Sequence, residues 1–242
     1  KNYNKIILHS QDSKLIKSIK IFSIEENIKF ELKGKNLIDK IIDVVLEFYD
    51  YFPKIIPSLS WLMRELIYMW PLKAVGTKKW KNSKSRVTFL SSLVNLDQSS
   101  IKKGKFKSNY WPILPKLLKN NNTSSNWIHM HSKSGDLLSA SNVKYLIKKF
   151  NKSNNGLETH ISIYSFINLS IVYKVIFNLI KLFYVKLKIQ KAIREKSGAI
   201  WPYISPDFNE SLTGITATRN LLFLYLFKCA FSNLLKQEML FY

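Results

Sequence analysis

The period of apolar and polar positions changes several times along the chain, and each change predicts an element. In the first thirty or so residues, short apolar runs such as Lys5-Ile6-Ile7-Leu8 give way to lysine-rich alternation from Ile16 to Lys33, which fits strand best. From Asn36 to Tyr51, the residues Leu37, Ile38, Ile41, Ile42, Val45, Leu46 and Phe48 recur at helical spacing, with Asp39, Lys40, Asp43 and Glu47 between them. That is an amphipathic helix stopped by Pro53. Pro57-Ser58 offers a new start for the aromatic-rich stretch Trp61 to Trp70, which Pro71 ends; its Trp61, Tyr68 and Trp70 read as core packing. The basic, polar run Lys73 to Arg86 reads as a surface loop separating two regions.

Beyond that loop the pattern is different. Arg86 to Leu96 is β-branched and apolar without a proline, the look of a buried strand. Trp111 to Lys119 reads as a helix with prolines early in it, closed by Asn120-Asn121-Asn122. A strand from Asn126 to His131 follows, then a polar loop of Ser132, Lys133, Ser134 and Gly135, a helix from Ala140 to Phe150, and a third strand from Leu157 to Tyr164. Strands and helices alternating through short polar joints are the pattern of βαβ units and a parallel sheet with helices on both faces.

The stretch Phe166 to Ile189 is dominated by Phe, Ile, Leu, Val and Tyr, but Lys174 and Lys181 stand inside it. A lysine near the centre of a membrane span costs about 2.5–3.5 kcal/mol. Ser170, Lys174, Asn178, Lys181 and Lys188 instead fall along one stripe of a helix, giving it a basic face. Two readings stay open: a long helix packed across the domain, or one lying on an anionic bilayer surface through Lys174, Lys181 and Lys188. Gly198 ends this element and Trp201 to Glu210 reads as a turn-rich connector. Thr213 or Thr216 then caps a helix to about Leu235, so apolar all round that burial is expected. Met239-Leu240-Phe241-Tyr242 opens another buried strand, and a domain rarely ends inside one, so the chain reads as truncated at both ends. Two regions are expected, a mostly helical α+β part over residues 1–83 and an α/β domain over residues 84–242.

Composition narrows the classes. The 242 residues are 46% hydrophobic, enough for a real core, and one cysteine, Cys229, excludes an internal disulfide framework and a Cys-rich zinc site. No signal-peptide pattern is visible, and a cytoplasmic protein is expected. The formal net charge of +22 invites an anionic partner, but only Arg64, Arg86, Arg194 and Arg219 are arginines among 38 cations. Specific base and phosphate recognition favours the guanidinium fork, so specific nucleic-acid binding is not expected.

Most catalytic motifs are absent from the sequence: there is no Walker sequence, Gly-rich dinucleotide fingerprint, His-Glu-x-x-His, Cys-x-x-Cys or Asp-x-Asp. His129 and His131, at i and i+2 of a strand, share a face, yet no third ligand stands at a recognisable spacing, and no metal site is expected. They matter for their place, since ligands of open α/β sheets bind beyond the carboxyl ends of the strands. Asn95 and Asp97 share that rim, as does Lys133; an Asx turn and helix cap is the alternative role for Asn95 and Asp97. Arg219, at the start of the last helix, is a candidate phosphate contact.

The succession Arg86 to Asp97, Gly104-Lys105-Phe106-Lys107-Ser108-Asn109-Tyr110-Trp111-Pro112-Ile113-Leu114-Pro115 and Asn126-Trp127-Ile128-His129 resembles bacterial surface carbohydrate biosynthesis proteins, a family of glycosyltransferases. The later block of Trp201-Pro202, Phe208, Ser211-Leu212, Gly214, Asn220-Leu221-Leu222-Phe223 and Leu226-Phe227 is similar to the same family in the same order. The resemblance covers roughly residues 84 to 242. It implies a GT-B-like architecture of two Rossmann-like halves, this chain being the N-terminal, acceptor-side half. The nucleotide-sugar donor would then bind a C-terminal half absent from this chain, so no cofactor is expected here. The implied partners are a nucleotide sugar and a glycan or lipid-linked acceptor, with the enzyme peripheral at the inner face of the cytoplasmic membrane. Two other readings stand beside it: a basic nucleic-acid-binding module, motivated by the charge and by Trp80 and Trp111 among lysines, and a non-catalytic membrane-surface partner subunit.

Overall fold

The computed structural model describes residues 4–33, 54–131, 137, 139–153, 156–232, 234 and 238–239; the helix expected from Asn36 to Tyr51 lies outside them. The strands are β1 (Lys5–His9), β2 (Lys29–Lys33), β3 (Val87–Ser92), β4 (Ser125–Met130), β5 (Glu158–Ser162) and β6 (Glu238–Met239). Among the described helices we label α1 (Ser13–Glu25), α2 (Ile55–Met69), α3 (Thr77–Lys81), α4 (Gln98–Lys103) and α5 (Leu114–Asn120). Then come α6 (Ala140–Ser153), α7 (Leu169–Ser197), α8 (Trp201–Thr213) and α9 (Ile215–Phe231). The protein is thus mixed α/β, with small parallel sheets flanked by helices and a mostly helical C-terminal region. It divides into two compact units, Lys1–Leu62 with Ile176–Leu221, and Met63–Val175 with Leu222–Tyr242.

In the first unit β1 and β2 pair in parallel, Ile6 beside Phe30 and Leu8 beside Leu32, with α1 between them in sequence. The expected strand character of Ile16 to Lys33 therefore holds only for β2. The reason is local: Asp12 caps α1, its carboxylate accepting from Lys14 N–H at 2.8 Å and Leu15 N–H at 3.2 Å. Ile16, Ile19 and Phe22 also recur at the helical spacing of three, and the cap fixes where the helix begins. Asn27, at φ 57°, turns the chain so that Ile28 N–H returns to the Ser23 carbonyl at 2.8 Å. The connector expected at Trp201 to Glu210 is also helical, as α8, which packs on α1. Pro202 lies in its first turn, where no N–H is needed, and Pro206 forfeits a single backbone bond.

In the second unit four parallel strands lie in the order β5-β4-β3-β6. The three strands expected at residues 86–96, 126–131 and 157–164 are present; the middle one begins one residue earlier, and the outer two are shorter, since Leu93–Asn95 and Ile163–Phe166 turn into 3-10 helix. The register sets Phe89 beside Trp127 beside His160, and Ser91 beside His129 beside Ser162. Successive residues of a strand alternate faces, so both rows lie on one face of the sheet. Phe89 stacks on Trp127 with centroids 4.6 Å apart.

The surface loop expected at Lys73 to Arg86 instead contains α3 and a fully buried Trp80. Its indole N–H donates to the Ala230 carbonyl at 2.9 Å, and its ring meets Phe166 edge-on. One large ring among lysines buries enough apolar surface to anchor the segment, while Lys78, Lys79 and Lys81 stay exposed around it. The last helix is not buried throughout: Leu222, Leu226 and Ala230 are, but Leu224 is 58% exposed and Cys229 is half-buried.

Candidate functional site

The segment following β3 carries two of the expected rim residues. Asp97 caps α4, its carboxylate accepting from the Ser99 hydroxyl and from Ser99 N–H at 2.8 Å, while Lys107 Nζ donates to it at 3.2 Å. The Ser99 hydroxyl first, and then Lys107, hold its carboxyl at about 2. The Asn95 carbonyl accepts from Asn109 N–H at 2.7 Å, and Leu96 bridges Ser108. Both residues therefore build the loop, Asp97 through its cap and its bond to Lys107, and the loop in turn makes a cleft.

That cleft measures about 290 Å³. Phe106, Pro112 and Pro115 supply its apolar wall, Lys103, Lys105, Lys107 and Lys116 its cations, and Ser99 and Ser100 its hydroxyls. Gly104 sits between the first two lysines at φ 68°, donating to the Ser100 carbonyl at 2.8 Å. A Cβ there would stand 2.7 Å from Lys149 Cδ, so only glycine makes this turn freely. Sequence reading missed the cleft because charge runs are usually solvated faces. The signal available was the alternation Lys103-Gly104-Lys105-Phe106-Lys107, in which an aromatic residue interrupts the cations.

Behind the cleft lies a buried relay. His129 and His160 stack with centroids 5.3 Å apart and planes 6° apart, and His129 Nε2 stands 3.0 Å from His160 Nδ1. His160 Nε2 is 3.3 Å from Glu158 Oε2. The carboxylate accepts, which puts the proton of neutral His160 on Nε2 and makes its Nδ1 the acceptor for His129 Nε2–H. His129 Nδ1 is then a lone pair, buried and without a hydrogen-bond partner among the described residues. Burial pushes His129 well below the usual imidazole range, and the neighbouring His160 adds to this; burial also lowers His160, against the pull of Glu158. Neither histidine is exposed, so the pair is a polar element of the core.

His131 continues the same face but goes elsewhere, stacking on Tyr68 at 6.1 Å and 10°. His129 and His131, expected as rim residues on one strand face, are both buried, and the partner of His129 is His160, whose place across the parallel register no local spacing reveals. Among the described residues no three His, Cys, Asp or Glu side chains are grouped to hold a metal ion. Lys133 lies outside the described residues. Arg219 is exposed in the first unit, in the second turn of α9, and the Thr216 N–H at that helix start already donates to Glu210 Oε1 at 2.7 Å. Trp80 is sealed in the core and Trp111 packs near Phe89, centroids 6.1 Å apart, so Trp80 offers no face to a nucleic-acid base. Lys174, Lys181 and Lys188 are all exposed along α7, whereas Lys186 is buried, its ammonium lowered by burial and then by Lys54. Comparison with protein-family models, with curated proteins and with solved structures found no match to this chain.

Proposed function

We propose that this chain is the acceptor-side part of a glycosyltransferase that builds a bacterial surface polysaccharide, with a GT-B-like, Rossmann-like sheet. The observation that carries the reading is the strand order. Counting β3 to β6 as one to four, the sheet runs 3-2-1-4, the order of doubly wound nucleotide folds, which opens a crevice where the order reverses, between β3 and β6. The cleft is built by the chain that follows β3. The residue blocks that resemble surface carbohydrate biosynthesis proteins include this same strand and cleft loop. In the reaction an acceptor hydroxyl oxygen bonds to the anomeric carbon, the nucleoside diphosphate departs, and the hydroxyl proton passes to a base. Ammonium groups near the reacting phosphate stabilise the charge. The donor is assigned to a second half outside these residues. The test is transfer of labelled sugar from a panel of nucleotide sugars into lipid-linked acceptor by the full reading frame containing this chain. Incorporation from one donor is expected, and failure with every donor overturns the reading.

The site of action is proposed to be an anionic membrane face. No helix among the described residues is long and apolar enough to cross a membrane. Yet α7 exposes Phe177, Ile180, Tyr184 and Leu187, the last two 61% and 54% exposed, along a stripe of spacing three and four, with Lys181 and Lys188 beside it. Flotation with phosphatidylglycerol vesicles should carry the protein at low salt. Reversing Lys174, Lys181 and Lys188 to Glu should weaken binding about a hundredfold, at about 1 kcal/mol per lysine. A parent protein that stays unbound overturns the membrane placement.

A further inference from the structure

We propose that the cleft of Lys103, Lys105, Lys107 and Lys116 is a binding site for an organic diphosphate, a diphosphate ester whose other substituent is apolar or aromatic. The assignment of the ester's source to a lipid-linked acceptor or a sugar nucleotide rests on the transferase reading; the site itself does not.

The first argument is charge. Four lysines line one hollow of about 290 Å³, and among the described residues the only carboxylate bonded to any of their ammonium groups is Asp97, on Lys107 at 3.2 Å. Like charges gathered around one concavity repel one another and raise the local concentration of anions. A diphosphate monoester, carrying two to three negative charges, matches the surplus. Lysines act as rotatable point charges, which suits a diphosphate better than it suits the planar, bidentate reading of one carboxylate.

The second argument is that the fold pins these cations. Phe106 alternates with Lys105 and Lys107, and its ring is held between Trp127, His160 and Phe150 at centroid distances of 4.7, 4.8 and 5.5 Å. Anchoring that ring turns the two flanking residues outward. Gly104 then reverses the chain so that Lys103 joins them, and the Ser153 hydroxyl holds the Gly104 carbonyl at 3.1 Å. Asp97 and the Ser100 hydroxyl fasten Lys107 from its ammonium and its carbonyl, the latter at 3.0 Å. The backbone that presents the cations is therefore pre-organised, which lowers the ordering cost of binding.

The third argument is the apolar wall. Phe106, Pro112 and Pro115 line the same hollow. An inorganic anion gains nothing from them, whereas a base ring or the first isoprene of a prenyl chain covers them. Both serine hydroxyls already donate within the protein, Ser99 to Asp97 and Ser100 to the Lys107 carbonyl, so anion recognition falls to the ammonium groups.

Isothermal titration of the chain at physiological salt tests this, with inorganic phosphate, pyrophosphate, UDP, farnesyl diphosphate and an oligothymidylate as probes. One organic diphosphate should bind saturably, about tenfold or more tighter than pyrophosphate, since each apolar contact group adds to the charge term. Tighter farnesyl diphosphate assigns the site to a lipid-linked acceptor, and tighter UDP to a nucleotide. Lys105→Glu with Lys116→Glu should reduce binding about thirtyfold or more at an unchanged melting temperature, because neither lysine ties the loop. Lys181→Glu with Lys188→Glu should leave it unchanged. Absence of saturable diphosphate binding, equal loss in both variants, or tighter binding of the oligothymidylate overturns the proposal. Diphosphate binding without sugar transfer by the full reading frame would keep the site and remove the transferase reading.

Discussion

Acidification from about pH 7 to about pH 5 should destabilise this protein by about 2 kcal/mol for each of His129 and His160 that stays neutral in the fold. Both imidazoles are fully buried and both titrate below the usual value of 6.5. In the unfolded chain each takes up a proton near 6.5, while in the fold desolvation opposes protonation. The unfolded state thus binds more protons in this window, so stability rises with pH and falls as pH drops below 6.5, with a slope of about 1.4 kcal/mol per pH unit and per histidine. The groups that bear on the pair are Glu158, which favours a charged His160, and Lys79, which opposes it. Asp97 does not contribute here, because its lowered carboxyl loses its stabilising effect only as pH falls from 3.8 toward 2. Urea midpoints measured from pH 5 to pH 7.5 should shift accordingly. His129→Gln keeps a side-chain donor for His160 Nδ1 but cannot titrate, so it should lower the slope by about half. A parent protein whose stability is flat across this range would show that the histidines are not sealed in the fold.

Replacing Asn151 by Leu should lower stability by about 2–6 kcal/mol, because two buried backbone groups lose their partners at about 1–3 kcal/mol each. The Asn151 amide donates to the His160 carbonyl at 2.7 Å and its oxygen accepts from His160 N–H at 2.9 Å. One side chain on α6 thus behaves as a neighbouring strand would toward β5, an edge strand of its sheet. Gly76 approaches the same spot: its φ is 81°, and a Cβ would stand 2.8 Å from the His160 carbonyl oxygen. At about 2–4 °C per kcal/mol for a chain of this size, the melting temperature should fall by about 4–24 °C in Asn151→Leu. Asn151→Asp keeps the acceptor and loses the donor, placing a carboxylate against a carbonyl, so it should also destabilise. Unchanged melting in Asn151→Leu would show that the pair does not hold the edge.

Much of the second unit was legible in order and type. The runs around Val87, Ile128 and Ile161 are strands, each too short for a helix and bounded by polar joints, although β4 and β5 bury polar residues such as Asn126, His129 and His160. The long helix was legible from its lysine spacing, and Asp97 as a cap from the residues around it. Misreadings arose where lysines interrupt short apolar runs. That look suggests strand at Ile16 to Lys20, yet Ile16, Ile19 and Phe22 recur at helical spacing behind the cap at Asp12. Prolines at residues 202 and 206 suggest a connector, yet Pro202 falls in the first helical turn, which tolerates it, and Pro206 inside the helix forfeits one backbone bond. Trp80 shows how far one ring outweighs the lysines around it once a core is present to receive it.

What the sequence determined by itself was the alternation of strands and helices and the basic character of the chain, because these depend on local periodicity and on residue counts. Only the tertiary structure decided which side chains meet. His129 and His160 are brought together by a parallel register between strands separated by a whole helix. The lysines of the cleft are gathered by a left-handed glycine and a half-buried phenylalanine ring held by its aromatic neighbours. The apolar stripe of α7 is set facing outward because the opposite side of the helix buries Leu179. In each case the deciding interaction is burial between residues distant in the chain, and local patterning cannot express it.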